Sequence, residues 1–192
     1  MGMHNELWFP SVIWSSIVHS IDNKSIRRYA YDRKKADQGK SVLNQGGWSS
    51  STVLPGENYQ IDKLIDLLNH EIDNCRKQVG LAEVQLYDLW ININPTGSYI
   101  KPRIHPDAVF SGIYFANAAQ KGGDMQFERT DRGEYHLTDA LEQNNYYNAT
   151  HALYASKTGA LYVFPGWLRY HVDGVLSQDD QISIGFVYGK KL

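Results

Sequence analysis

From Val84 onward the chain alternates apolar and polar residues in short runs, and turn-forming residues separate one run from the next. Runs of this length and period are typical of β-strands, and a regular series of them predicts a sandwich or a barrel. The predicted strands cover residues 86–93, 108–116, 124–128, 153–155, 160–164, 170–172 and 181–188. An apolar segment at residues 7–14, interrupted by Pro10, is a further strand candidate.

One stretch before these strands has helical periodicity instead. Apolar residues recur there at steps of three and four, with charged residues between them: Ile61, Leu64, Ile65, Leu68, Ile72, Cys75 and Val79. The pattern predicts an amphipathic helix over residues 59–79 that ends at Gly80 and covers one face of the sheet. Residues 24–58 are polar and rich in turn residues, so we expect irregular structure there with a short helix near residues 26–35.

Composition excludes several classes of protein. Charged residues make up 21% of the chain and the net charge is -2, so there is no basic excess for nucleic-acid binding. No apolar run approaches the ~20 residues of a membrane span, and the N-terminal residues show no secretory pattern. The single cysteine, Cys75, permits no intramolecular disulfide. We therefore expect one cytoplasmic domain over residues 1–192, whose oligomeric state the sequence leaves open.

Two segments carry residues suited to metal chemistry. His105 and Asp107 form an H-x-D pair just before a predicted strand, and His171 lies on a later strand. Alternate residues of an extended segment point the same way, so the pair could converge on one ion. Two histidines and one carboxylate form the set that binds Fe(II) in non-haem oxygenases. The alternative for His105 and Asp107 is a purely structural role in the turn.

A longer series of segments points in the same direction. In chain order they are residues 7–13 (LWFPSVI), 47–50 (GWSS), 90–92 (WIN), 105–106 (HP), 111–115 (SGIYF), 123–127 (GDMQF), 164–168 (FPGWL) and 181–186 (QISIGF). Their order resembles an uncharacterised family of 2-oxoglutarate/Fe(II)-dependent oxygenases from marine bacteria and phages. The resemblance implies a mainly β fold, the double-stranded β-helix (a cupin-like jelly roll), backed by one long and one or two short helices.

The same resemblance implies an activity and a site. The expected protein is an oxidoreductase, a dioxygenase that hydroxylates a small molecule or a side chain. Its cofactors would be Fe(II), held by His105, Asp107 and His171, and 2-oxoglutarate as co-substrate. The far carboxylate of 2-oxoglutarate would contact two polar side chains and one basic side chain. The hydroxyl of a tyrosine would donate a hydrogen bond to the bound acid. These cofactor-binding candidates are Gln181, Ser183, Arg103 as the basic residue, and Tyr114.

Three positions depart from the family pattern. Arg103 stands at the first histidine of the family's H-x-H-P, and Gln181 replaces the basic residue that would meet the far carboxylate. Tyr170 stands at the distal histidine, with His171 one place later. A one-residue slip in a strand turns a side chain to the other face unless a bulge restores it. Two alternatives therefore stay open: a catalytically degenerate relative that acts as a binding or scaffold module, and a cupin-like metal enzyme that does not use 2-oxoglutarate.

Overall fold

The computed structural model describes residues 3–4, 9–40, 43–131, 141–143 and 145–191. Two helices and eleven strands follow one another along these residues. Their bounds are β1 Trp14–Ile17, α1 Asn23–Ala36, β2 Asn44–Gln45, β3 Trp48–Ser49, α2 Tyr59–Gln78, β4 Val84–Asn94, β5 Tyr99–Arg103, β6 Phe110–Asn117, β7 Met125–Glu128, β8 His151–Tyr154, β9 Ala160–Pro165, β10 Tyr170–Val172 and β11 Gln181–Lys190.

The strands form two antiparallel sheets. The larger has the order β1-β9-β6-β11-β4-β3 and the smaller has the order β2-β5-β10-β7-β8. Apart from the pairs β3–β4 and β7–β8, strands adjacent in a sheet are not successive in the chain, because the chain crosses repeatedly from one sheet to the other. This is the jelly-roll arrangement that the double-stranded β-helix prediction called for. The predicted fold class is confirmed.

Both helices begin at a side-chain cap. Asp22 accepts hydrogen bonds from the backbone N–H groups of Lys24 and Ser25 at the start of α1. Asn58 does the same for Gln60 and Ile61 at the start of α2. These side chains satisfy N–H groups that have no partner within the helix. Both predicted helices are confirmed, and Gly80 follows α2 with a φ of 71°.

Two hydrophobic cores lie on opposite faces of the larger sheet. On β4, the fully buried Leu89, Ile91 and Ile93 pack toward the apolar stripe of α2. The intervening Trp90, Asn92 and Asn94 face the smaller sheet, where Asn94 donates to Asn44 of β2 at 2.6 Å. The second core fills the space between the sheets. The pleat of the strands thus separates a helix-facing side from an interior side that can hold a site.

The N-terminal strand differs from its prediction. β1 begins only at Trp14, while residues 9–13 form no strand, and Leu7 and Trp8 lie outside the described residues. Pro10 lacks the N–H that a sheet requires, and Phe9 has a φ of 57°, which is not extended backbone. Neither α1 nor α2 is apolar enough over a sufficient length to cross a bilayer.

Candidate functional site

Arg103 and Tyr170 are neighbours at one end of the space between the sheets. They pair directly in the register of β5 with β10, so their side chains lie side by side. The register shifts between Tyr170 and Val172, whose partners on β5 are Arg103 and Ile100. The extra residue therefore lies on β5, beside Pro102, where a missing N–H is tolerated in a bulge. The bulge keeps Arg103 turned toward the interior.

His105 follows β5 and joins these two residues. Its backbone N–H donates to the Gly166 carbonyl at 2.8 Å, which fixes the position of the loop. On the side chain, Nε2 accepts from Arg103 Nε at 3.2 Å, and Arg103 Nη2 lies 2.9 Å from the same nitrogen. The Tyr170 hydroxyl is 3.1 Å from it. One imidazole nitrogen is thus the meeting point of a guanidinium and a phenol.

Aromatic rings surround this cluster. The Arg103 guanidinium lies 5.2 Å from the ring centroid of Trp90 and 5.9 Å from that of Tyr170. The Trp90 and His105 rings are 5.6 Å apart. Cation–π contacts stabilise a guanidinium that has left bulk water. Among the described residues, no carboxylate forms an ion pair with Arg103.

The ionisation states follow from burial and from the guanidinium. Burial, together with the nearby Arg103 charge, lowers the pKa of His105 to about 3. The imidazole is therefore neutral at pH 7, and since Nε2 accepts from Arg103, its proton is on Nδ1. Burial raises the pKa of Tyr170 above its ordinary value, so the phenol keeps its proton.

A cavity of about 330 Å³ opens beside this cluster. Arg103, His105, Trp90 and Asp107 line it. The remaining lining residues come from β4, from β11 and from the segments around β2 and β3: Lys40, Leu43, Asn44, Ser49, Ser50, Tyr87, Asp88, Pro106, Ala108 and Val187. This volume is at the lower end of the range for small-molecule sites.

The structure does not bring the three predicted metal ligands together. His105 and Asp107 line the same cavity, with Asp107 exposed in the turn that follows His105. His171 points away from them, because it alternates on β10 with the buried Tyr170 and Val172. Its Nδ1 lies 3.6 Å from Glu128 and its Nε2 lies 3.4 Å from Asp173, on the outer face of the smaller sheet.

The predicted cofactor-binding residues are also divided. Tyr114 faces the helices, where its hydroxyl donates to Asn23 of α1 at 2.7 Å. Its expected contact with a bound acid is therefore not met, since alternation on β6 places Ile113 and Phe115 in the interior instead. Ser183 and Gln181 do face the interior. Ser183 accepts from Asn92 at 3.3 Å, and Gln181 donates to the Gly123 carbonyl at 3.0 Å.

The surroundings of Gln181 are tightly packed. Its Oε1 is buried without a hydrogen-bond partner, and a Cβ added at Gly122 would lie 2.0 Å from it. Within the described part of the chain, no Lys or Arg side chain hydrogen-bonds Gln181 or Ser183. Arg103, the expected basic partner, is held by His105 and the two aromatic rings instead.

Asp88 lines the cavity, although the sequence had not singled it out. It lies two residues before Trp90 on β4 and therefore on the same interior face. Its Oδ1 is buried and has no hydrogen-bond partner among the described residues. Because alternate residues of a strand share a face, the position of Trp90 in the interior was the signal that could have identified Asp88.

Residues 88–187 match the family described as "Putative 2OG-Fe(II) oxygenase". The chain belongs to this family. The cofactors predicted from the sequence, Fe(II) and 2-oxoglutarate, are those of the family. The match runs from within β4 to within β11 and includes Arg103, His105 and Tyr170. No curated protein matches the chain.

Three solved structures of similar fold come from two bacteria and a virus. A prolyl-4-hydroxylase from Pseudomonas putida has a TM-score of 0.65 at 12% identity, covering 95% of this chain and 94% of its own. The viral collagen prolyl hydroxylase of Paramecium bursaria Chlorella virus-1, in complex with 2-oxoglutarate, has a TM-score of 0.63 at 12% identity, with 93% and 96% covered. HygX from Streptomyces hygroscopicus, with nickel and 2-oxoglutarate bound, has a TM-score of 0.64 at 8% identity, with 95% and 84% covered. At these identities the likeness concerns the fold.

The residues of this chain do not fit the Fe(II) of the family. In the described ranges, no three His, Cys, Asp or Glu side chains are placed to hold a metal ion. The side chains that meet between the sheets are instead Arg103, His105 and Tyr170, at two of which the sequence departs from the family pattern. The fold of the family is present, but the described residues form no set of metal ligands.

Proposed function

We propose that this protein is an iron-free member of the oxygenase family, a module that binds a small molecule in the cavity instead of oxidising it. The observation that carries this proposal is the hydrogen bonding of the Arg103 guanidinium to His105 Nε2. That nitrogen carries the lone pair that a metal at this position would need. This is the degenerate-relative alternative that the sequence left open.

Electrostatics supports the proposal. A guanidinium is charged at every accessible pH, and a divalent cation bound to His105 would stand within a few ångströms of it. Repulsion at such a distance is strong where water is largely excluded. The neutral phenol of Tyr170 offers Fe(II) a far poorer ligand than the imidazole that the family has there.

A hydroxylase of unknown substrate, the function predicted from the sequence, is the second candidate. Two observations favour it: the family match, and the presence of His105 and Asp107 on one cavity. It requires Arg103 to leave His105 and a third ligand to enter. A cupin-like metal enzyme without 2-oxoglutarate requires the same movement.

Metal titration and turnover together decide among these candidates. We expect no stoichiometric binding of Mn(II) or Fe(II) in an anaerobic calorimetric titration, and no succinate from 2-oxoglutarate with Fe(II) and ascorbate. The double variant Arg103→His/Tyr170→His restores imidazoles at both positions and should bind Mn(II) at least about tenfold more tightly than wild type. Arg28→His, which adds an imidazole at an exposed position of α1, is its matched control.

Each result has a defined meaning. One Fe(II) per wild-type chain, with succinate release that His105→Ala abolishes, would overturn the iron-free proposal in favour of the hydroxylase. Metal binding that requires His105 but gives no response to 2-oxoglutarate would overturn it in favour of the cupin-like enzyme. Absence of binding in wild type, with a gain in the double variant, supports it.

A further inference from the structure

The cavity contains a cation without a charged partner. Arg103 directs its hydrogen bonds to a neutral imidazole, and its remaining contacts are the rings of Trp90 and Tyr170. A half-buried guanidinium prefers a carboxylate, which it can bind through two parallel N–H groups. No carboxylate within the described ranges supplies that pairing, so a ligand carboxylate is the complementary group.

The cavity also contains an anion that lacks a donor. Asp88 Oδ1 is buried, and none of the described groups donates a hydrogen bond to it. A buried carboxylate oxygen without a donor is costly, and native proteins rarely leave one unexplained. The Asp88 carboxylate lines the cavity and forms no ion pair among the described residues, so a ligand ammonium would be its complementary group.

These two groups line the same cavity. Asp88 and Trp90 are alternate residues of β4, about 7 Å apart along the interior face. The Arg103 guanidinium lies 5.2 Å from the Trp90 ring. Trp90 lines the same cavity and offers an apolar surface for the ligand.

The charge of the lining selects a zwitterion over a dianion. Lys40 and Arg103 are balanced by Asp88 and Asp107. A ligand with two negative charges would meet both aspartates, whereas a ligand with one charge of each sign leaves the cavity neutral. The volume of about 330 Å³ suits a molecule of the size of an amino acid.

We infer that this cavity binds a free α-amino acid, with its carboxylate on Arg103 and its ammonium on Asp88. The inference rests on the proposed function, because the ligand carboxylate takes the guanidinium that also excludes iron. Leu43, Ala108 and Val187 lie along the same cavity and would contact the ligand side chain. An apolar side chain of moderate size fits these neighbours best.

The test is a ligand-observed NMR screen of the twenty standard L-amino acids, one at a time, in buffer with EDTA. We expect saturation transfer to at least one amino acid with an apolar side chain. The tightest binder is then compared with its two matched fragments, the carboxylic acid without the amine and the amine without the carboxyl group. Each fragment should bind at least about tenfold more weakly, since each loses one charged contact.

Two variants assign the contacts. Asp88→Asn should weaken amino-acid binding about tenfold or more and leave the affinity for the carboxylic-acid fragment unchanged. Arg103→Gln should weaken both the amino acid and that fragment. Asp66→Asn and Arg28→Gln remove the same charges at exposed positions of the helices and should change neither. Circular dichroism of each variant reports whether it is folded.

Failure of this inference is distinct from failure of the iron-free proposal. No binding of any of the twenty amino acids in EDTA overturns the amino-acid inference and leaves the metal titration result intact. A carboxylic-acid fragment that binds as tightly as the amino acid overturns the role of Asp88. Amino-acid binding that appears only after Fe(II) is added overturns the iron-free proposal itself.

Discussion

At the scale of single residues, one substitution changes the chemistry of the cavity. An imidazole at position 103 would leave His105 Nε2 available to a metal, whereas the guanidinium donates to it. The same charge, together with burial, keeps His105 neutral. Arg103 is thus both the group that opposes a cation and the group that accepts an anion.

The pKa of His105 measures this arrangement directly. Arg103→Met removes the charge but keeps much of the side-chain volume, so the pKa of His105 should rise by roughly one unit. It should stay below 6.5, because burial, the larger cause of its depression, remains. NMR titration of the imidazole resonances measures the change.

Arg169→Met is the control for that titration. Its guanidinium pairs with Glu128 on the outer face, at 2.8 Å, and makes no hydrogen bond with His105. The pKa of His105 should be the same in this variant as in wild type. An unchanged value in Arg103→Met as well would show that the guanidinium does not act on the imidazole.

At the scale of elements, strand parity decides which side chains share the cavity. The sequence predicted seven strands and two helices close to their observed positions, because their periodicity extends over several residues. It missed β2 and β3, which have two residues each and no period to detect. It also missed β5, where the bulge beside Pro102 breaks the alternation.

The sequence could not predict which side chains of two distant strands meet in the site. His105 and Asp107 line one cavity, since they belong to one short segment, and their predicted role as metal ligands stays a prediction. Which of Tyr170 and His171 faces the interior depends on the register of β10 against β5, a contact between distant segments. The sequence predicted the strand that contains Tyr114 but not the face of the sheet on which its side chain lies. Tyr114 was therefore expected in the cavity, whereas it faces the helices.

The contact between β4 and β11 gives a prediction at this scale. A Cβ added at Gly185 would lie 2.4 Å from the Trp90 indole, the ring on which Arg103 rests. Gly185→Ala should therefore displace Trp90 and lower the free energy of unfolding by about 1–3 kcal/mol. Urea denaturation followed by circular dichroism measures this loss.

Gly174→Ala is the matched control, because a Cβ there would have no neighbour within 4 Å. Its effect on the free energy of unfolding should be within about 0.5 kcal/mol. If both variants unfolded at the same urea concentration, Trp90 would not be held against Gly185 as described.

At the scale of the whole molecule, the fold of the family encloses a hydrogen-bonded polar interior. The two sheets and two cores are intact, and the interior residues bond to one another. Ser49 donates to Asn92 at 2.6 Å, and Asn92 donates to Ser183 at 3.3 Å. These hydrogen bonds join β3, β4 and β11 in the interior and stabilise the barrel. The fold alone does not decide the function of the cavity, which depends on a few side chains.

One ionisation in this interior should be visible in the stability of the entire domain. The pKa of His105 is about 3 in the folded state, against 6.5 for an unperturbed imidazole. As the pH falls below 6.5 the unfolded chain gains a proton that the folded chain does not take up until about pH 3. The contribution of His105 is therefore fully present above pH 6.5 and is lost as the pH falls through this window.

In the upper part of this pH window, the effect of His105 on stability is separate from that of the carboxylates with lowered pKa values. Hydrogen bonds and Arg33 outweigh burial and hold the pKa values of Asp37 and Glu57 below 3.8 and 4.5, so these carboxylates lower stability only under more acidic conditions.

Between pH 6.5 and 5 the free energy of unfolding should fall by roughly 1 kcal/mol per pH unit in wild type. His105→Gln, whose amide can still accept from Arg103, should reduce that slope, whereas His70→Gln on the exposed face of α2 should retain it. Urea denaturation at half-unit pH intervals measures the slopes. Equal slopes in wild type and His105→Gln would mean that the imidazole is protonated in the folded protein, and the guanidinium could not then donate to Nε2.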